Sequence, residues 1–469
     1  MKKYDLIVIG SGPAGEKAAV KAAYFGYKVA VIEKQKKMGG AGVNTGTLPS
    51  KTLKETALYY SGKYDRGLYG IDRVLKEAPS IEHFMQRETL VSSAVEHEVL
   101  QNLFNHKVDI YHGSAVFENA HEIRIVGSKE EVICSEYIII ATGSYPVHPA
   151  NIPFDFDRVH DSDSILNINR FPKSLCIIGA GVIGCEYATI FGTMGIEVYI
   201  INDKKKILTF LDNEISTELV KQMQENFIEV LFDTKFEHIK VPPHSHLPID
   251  VKLNTGEILH VDMLLYAAGR SGAIEGLNLE KAGVCIGERQ TISVDAHFKT
   301  NIDNIYAIGD VIGFPALAST SMDQGRVAVS HIFKTNDLDS LPKIFPYGIY
   351  TVPEVSMVGM SEEQAKAANI DCSTGISKYK NIPRAKIKGL NSGFLKLVFR
   401  KEDLVVIGVH IIGDLATELI HYGLTLVEHK TTLMHIISTV FNYPTLHDLY
   451  KYASYDGLGN LSGRKIKKD

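Results

Sequence analysis

Cysteine is scarce in this 469-residue sequence. The five present, Cys134, Cys176, Cys185, Cys285 and Cys372, lie far apart, with no C-x-x-C and no cysteine–histidine cluster. That scatter excludes a disulfide framework and a zinc or other metal site, and it suits a reducing cytoplasm. No stretch approaches the roughly 18 consecutive apolar residues of a membrane span. Charge of one sign is also missing: a net −5 gives no general attraction to nucleic acid or anionic membrane. The opening MKKYDLIVIGSG breaks at a glycine turn after Ile9 with no small-residue cleavage site behind it, so it reads as a strand and not a signal peptide.

A nucleoside triphosphate loop is absent too. Gly39–Lys51, GGAGVNTGTLPSK, is a glycine-rich loop ending in a lysine, but Thr47-Leu48-Pro49-Ser50 intervene between the last glycine and Lys51, breaking the Walker spacing. With 45% hydrophobic and 22% charged residues the composition is that of a soluble globular chain, too long for one core.

What the sequence does contain is a repeated dinucleotide signature. Tyr4–Ile9 reads as a strand and runs into Gly10-Ser11-Gly12-Pro13-Ala14-Gly15; an alanine-striped helix follows, and a second strand ends on Glu33. Gly10 suits the tight turn, Gly12 the approach of a pyrophosphate, and Gly15 close helix–strand packing, with free N–H groups at the helix start. Glu33 is placed to accept from an adenosine ribose. The unit recurs as strand Leu175–Ile178, turn Gly179-Ala180-Gly181-Val182-Ile183-Gly184, a helix through Met194, and strand Glu197–Ile201 ending at Asn202. Two units predict two bound dinucleotides. An acid such as Glu33 suits a free 2′-hydroxyl. Asn202, with Asp203 and Lys204-Lys205-Lys206 behind it, rejects neither a hydroxyl nor a 2′-phosphate, so tolerance of both NAD(H) and NADP(H) is expected; the same lysines would also simply solvate a turn.

These motifs resemble the two-dinucleotide-fold flavoprotein disulfide reductases nearly end to end. Ala141-Thr142-Gly143-Ser144, Ala268-Gly269-Arg270, Asn304–Asp310 and Gln324-Gly325-Arg326 extend the likeness. The resemblance implies an α/β fold with two Rossmann-like domains, for FAD and NAD(P), and a C-terminal α+β dimerisation domain. Its expected limits are 1–150 and 276–344 for FAD, 151–275 for NAD(P), and 345–469 for a homodimer interface. It carries non-covalent FAD contacts onto Gly10, Gly12, Ala14, Gly15, Glu33, Lys34, Gly39, Gly40, Thr45, Lys51, Ala115, Thr142, Gly143, Asp310 and Ala318. It carries NAD(P) contacts onto Gly179, Gly181, Val182, Gly184, Asn202, Asp203, Lys204, Gly269 and Arg270. Lys51, paired with Glu186, is implied as the catalytic pair beside the flavin; a merely structural ion pair is the plainer reading. Val182 stands where some relatives have a gating tyrosine, though ordinary helix packing explains it equally.

The chain departs from the reductases at their sulfur chemistry. In G-G-x-C-x-N-x-G-C-x-P-S-K the two cysteine positions are Gly42 and Thr47. The terminal H-P-T-x-x-E, source of the acid–base dyad, reads Tyr443-Pro444-Thr445-Leu446-His447-Asp448. Tyrosine, with a pKa of about 10, is a poor near-neutral base, and His447 is displaced four positions and expected to face elsewhere. Both nucleotide sites survive while the dithiol machinery is gone. This combination resembles the soluble, energy-independent (Si-specific) pyridine nucleotide transhydrogenase branch, with Asn44–Thr56, Gly179–Glu186, the stretch ending L-T-F-L-D at Asp212, and Phe441–Thr445 as further likenesses. Often that branch retains one cysteine where Gly42 stands. The implied reaction is NADPH + NAD⁺ = NADP⁺ + NADH, ping-pong through FAD. An NAD(P)H oxidase or quinone reductase differs only in the electron acceptor, and a catalytically idle FAD-binding scaffold would not need Lys51, Glu186 and Asp310. The closing GRKIKKD reads as a basic tail without a nucleic-acid role.

Overall fold

A computed structural model of the chain describes residues 1–63, 68–70, 79–244, 246–335 and 337–463. The basic tail after Gly463 lies outside them. Its first sheet grows from the strand Lys2–Ile9, whose Leu6, Ile7 and Val8 are fully buried. Such an uninterrupted apolar run needs cover on both faces, the condition of a parallel sheet. Val29–Glu33 and Glu131–Ile140 flank it in parallel, with Ile9 opposite Ile32 on one side and Ile140 on the other. Asp109–His112 extends one edge beyond Val29–Glu33, and Ile305–Ala307 pairs with the far half of Glu131–Ile140. The chain therefore leaves this unit after Ile140 and returns to finish it. An antiparallel extension, Ser114–Phe117 and Glu122–Val126, pairs onto the near half of the long strand.

Between departure and return lies a second parallel sheet in the order Ile228–Leu231, Glu197–Ile201, Ser174–Ile178, Met263–Tyr266, Val159–Asp161. A short antiparallel pair, Ser144–Pro146 with Arg270–Gly272, joins the two units at the crossing strands. The third unit is a five-stranded antiparallel sheet, Tyr347–Ile349, Val355–Gly359, Val406–Ile412, Phe394–Arg400 and Cys372–Lys378, against which the helices Ala416–Glu428 and Asp448–Ser462 pack. The fold class is the one expected: two Rossmann-like units and a C-terminal α+β unit.

One local expectation is corrected. Gly39–Lys51 is mostly not loop: Gly40–Asn44 is one helix and Thr47–Ser61 another. Pro49 sits in the first turn, where a missing N–H costs nothing, and the helix ends at Gly62 in the left-handed conformation. Lys51 thus stands on a rigid element near its N-terminus.

Candidate active site

The two glycine turns are built alike. Gly10 and Gly179 have φ of +104° and +110°, and a Cβ on either would fall 2.4 Å from Ala141 O or 2.9 Å from Ala267 O. A Cβ on Gly15 or Gly184 would fall 2.0 Å from the carbonyl oxygen of Gly10 or Gly179. The middle glycines differ: Gly12 has only Gly40 Cα at 3.9 Å, and Gly181 has nothing within 4 Å. The first glycine of each turn is pressed against the backbone of a neighbouring segment and the last against the turn's own first carbonyl, while the middle ones stand clear at the start of the helices Pro13–Tyr24 and Val182–Thr193.

Around the first turn several of the expected FAD residues are linked. Glu33, buried at 5% exposure, accepts from Ser11 N at 2.9 Å, Ser11 Oγ at 2.7 Å and Gln35 N at 2.8 Å. Ser11 Oγ also accepts from Gly39 N at 3.1 Å, so the Gly39–Gly40 segment is tied to the turn. A Cβ on Gly309 would meet that of Ala14 at 3.1 Å, which brings the Gly309-Asp310 segment to the same helix. Asp310 accepts from Ser144 Oγ at 3.0 Å. Ala318 begins the helix Ala318–Phe333, Ala115 is buried in its strand, Thr45 closes the Gly40–Asn44 helix, and Lys34 is exposed beside Glu33.

This cradle fits a dinucleotide flavin. Thr142 Oγ1 and Asn44 Oδ1 are buried and lack a hydrogen-bond partner among the described residues. Both flank the turn, and a Cβ on Gly143, with φ +74°, would meet nothing within 4 Å. Buried polar atoms without partners are costly, and both of these are of the kind that a bound ligand would satisfy.

Lys51 and Glu186 meet between the units. Lys51 Nζ donates to Glu186 Oε1 at 2.9 Å and Oε2 at 2.7 Å, and to Ser50 Oγ at 3.2 Å. Glu186 is 4% exposed at the side chain and Lys51 25%. Ser50 Oγ donates to Glu186 Oε2 at 3.1 Å, and Tyr350 N donates to Oε1 at 3.0 Å. The carboxylate is therefore fixed by donors from the first unit and the third. Tyr350, a residue without a role in the sequence reading, also places its ring 4.9 Å from Lys51 Nζ and 5.7 Å from Lys54 Nζ.

Behind this pair lies a second one that was not anticipated. Lys54 Nζ donates to Glu354 Oε1, and the other oxygen of Glu354 accepts from Thr417 N at 3.0 Å and Thr417 Oγ1 at 2.8 Å. Burial alone would lower the Lys54 ammonium, but the Glu354 carboxylate holds it above its ordinary value. One sequence sign was available. Lys54 shares a helix with buried Leu53 and Ala57, where a lysine requires an acid, but that acid is 300 residues away.

No disulfide forms among the described residues. All five cysteines are free; Cys185 is fully buried, its Sγ facing Ala180 O, and its thiol is pushed up by burial and by Glu186. Cys176 is pushed up to about 12 by burial. A Cβ on Gly42 would lie 2.7 Å from Pro13 Cγ, so the first cysteine position is filled by the nucleotide turn itself. In the 441–450 segment, His447 is half-buried with its ring against Phe441 and Tyr450, whereas Tyr443 is 75% exposed.

In the second unit, Val182 starts its helix, partly buried against the core, and Gly269 is exposed with φ +148°. Asn202 is buried, while Asp203 and Lys204 are exposed. Arg270 has partners other than a nucleotide: Ser144 Oγ and O at 2.9 Å, and Ser162 Oγ and Asp163 Oδ1 at 3.1 Å. It stitches the joint between the units.

The description "Pyridine nucleotide-disulphide oxidoreductase" matches residues 4–325, and the dimerisation domain of the same family matches 345–454. Proteins named soluble pyridine nucleotide transhydrogenase from Mycobacterium tuberculosis and Pectobacterium atrosepticum are 37% and 36% identical over 464 residues, 98% of either chain. Among solved structures, the HOCl-induced flavoprotein disulfide reductase RclA from Escherichia coli superposes with TM-score 0.86 at 28% identity, covering 96% of this chain and 99% of its own.

Proposed function

Because this chain belongs to the pyridine nucleotide-disulphide oxidoreductase family, we propose that it is a soluble pyridine nucleotide transhydrogenase, catalysing NADPH + NAD⁺ = NADP⁺ + NADH. The observation that carries the reading is selective loss: both glycine turns and the Lys51–Glu186 pair stand, while no thiol lies at either disulfide position. Its relatives of that name match it over nearly its full length.

Gly10, Gly12 and Gly15, with Glu33, Thr142, Gly143 and Asp310, would hold FAD without a covalent link. Bound there, FAD supplies a two-electron carrier that serves one nicotinamide and then the other. Gly179, Gly181 and Gly184 would take NAD(H) and NADP(H) in turn. The overall reaction moves one hydride and no net proton, so a general acid–base dyad is not needed, in keeping with Tyr443 where the reductases have histidine. What the chain must do is orient the reactants and exclude water. We assign Lys51 to the reactive edge of the cofactor as a fixed positive charge. Glu186, held by Ser50 and Tyr350, keeps that ammonium in place. The dimerisation-domain match suits a homodimer, and a cytoplasmic setting suits the free thiols.

The test is NADH formation by the purified protein from NADPH and NAD⁺ under nitrogen, beside oxygen and a quinone as alternative acceptors. The reading expects NAD⁺ to be the fastest acceptor. Faster turnover with oxygen or quinone would replace it with an oxidase or diaphorase, and no oxidation of NADPH at all would leave only a binding scaffold.

A further inference from the structure

Asp212 is fully buried at the start of the helix Asn213–Gln224. Its partner comes from the third unit. Lys396, on the strand Phe394–Arg400 and 1% exposed, donates to Asp212 Oδ2 at 3.0 Å and Oδ1 at 3.2 Å. The same ammonium lies 2.8 Å from Glu214 and 2.9 Å from Glu362, so one cation gathers three carboxylates at the junction of two units. Asn213 N donates to Glu363 Oε1 at 3.2 Å across the same junction. His410, paired in register with Lys396, is fully buried, its Nε2 bonded to Met360 O and its Nδ1 without a partner among the described residues.

From this anchor the chain runs back to the second glycine turn. Lys206 Nζ donates to Leu211 O and to Asn213 Oδ1 at 2.7 Å. Ile207, Leu208 and Leu211 are buried, and Leu208 N donates to Ala180 O in the second glycine turn at 3.2 Å. Asn202 Nδ2 donates to Lys204 O at 2.8 Å and Lys206 O at 3.2 Å. Two carbonyls fix that amide, so its donors are spent inside the loop and its oxygen alone remains for a ribose. Asn202 can accept from a 2′-hydroxyl but cannot donate to a 2′-phosphate. Phosphate recognition then falls to the exposed Lys204 and Lys205, whose backbone path is fixed at one end by the Asn202 bonds and by Asp233 N donating to Lys204 O at 3.3 Å, and at the other by Asp212.

We propose that Lys396 is a positioning residue for coenzyme discrimination: by clamping Asp212 from the dimerisation unit, it holds the 202–212 loop so that Lys204 and Lys205 meet the 2′-phosphate of NADP(H). This rests on the transhydrogenase reading, in which both coenzymes use the second turn. The test is calorimetric binding of adenosine 2′,5′-bisphosphate and of adenosine 5′-monophosphate to the holoenzyme, which requires no turnover. Lys396→Met leaves three carboxylates facing one another, so the double variant Asp212→Asn, Lys396→Met, which keeps the net charge of the cluster, is measured beside it in case the single one does not fold. Loss of one charge-assisted contact predicts about tenfold weaker bisphosphate binding. Binding of the monophosphate should change much less, and flavin content should not change. Lys204→Ser with Lys205→Ser, which removes both cations, should weaken bisphosphate binding by at least as much, with unchanged thermal stability. Equal weakening of both ligands, unaltered binding of both in the double variant, or a wild type that does not prefer the bisphosphate would overturn the proposal. Failure of wild type to form NADH from NADPH would instead sink the reading beneath it.

Discussion

Glu186 is among the most fully engaged side chains in the molecule, with Lys51 on both oxygens and Ser50 and Tyr350 N adding one donor each. Removing the cation leaves a buried carboxylate with two neutral donors, which typically costs about 3 kcal/mol or more. Lys51→Ala is therefore expected to retain less FAD after gel filtration and to turn over about a hundredfold more slowly; normal flavin content with normal turnover would contradict the assignment. Gly42 supplies the opposite kind of test. Restoring both cysteines, Gly42→Cys with Thr47→Cys, should not restore disulfide reduction, because the new Cβ at 42 would sit 2.7 Å from Pro13 Cγ. Overpacking of this sort costs roughly 1–3 kcal/mol, so a lower melting temperature and no new reductase activity are expected. The missing thiols were plain in the sequence; that Pro13 fills the first vacated place was not, since it belongs to a turn 29 positions earlier.

At the scale of elements, the two glycine turns were the most legible feature, because strand, turn and helix follow one another within about 25 residues and each glycine answers a local steric demand. The structure separates their roles further than spacing can. Gly184→Ala would drive a methyl to 2.0 Å from a backbone oxygen, so it should unfold or strongly destabilise the second unit. Gly181→Ala meets nothing and has an ordinary φ of −80°. It should leave the melting temperature within a degree or so of wild type while raising the KM for NADH and NADPH by about tenfold or more. A Gly181→Ala variant with unchanged KM would mean that no phosphate approaches there. The Gly39–Lys51 segment reads as loop in sequence for a related reason: its glycines suggest a turn, whereas Thr47-Leu48-Pro49-Ser50 begin a helix whose apolar contacts are supplied from elsewhere.

For the whole molecule, the informative bonds join units that sequence reasoning treats separately. Lys54 with Glu354, Lys396 with Asp212, and Tyr350 with Glu186 span 300, 184 and 164 positions; no local pattern announces such pairs, because only the assembled fold decides which buried cation meets which acid. Lys63 lies at another such seam, its Nζ 2.6 Å from Asn226 Oδ1, and burial lowers its ammonium to about 8 from 10.5. A lysine depressed in the folded state burdens stability below pH 8 and is relieved as pH rises towards 10.5. Lys63→Met should therefore raise the melting temperature at pH 7, by about 1–3 kcal/mol in stability, with the gain shrinking by pH 10; a pH-independent effect would refute the assignment. The central claim, that electrons cross this fold from nicotinamide to flavin to nicotinamide without entering a disulfide, is tested most directly by anaerobic titration of the holoenzyme with NADPH. The account predicts full bleaching of the flavin at one equivalent per FAD, no thiolate charge-transfer band, and return of the oxidised spectrum with NADH on adding a large excess of NAD⁺. Uptake of a second equivalent, or a long-wavelength thiolate band, would contradict it.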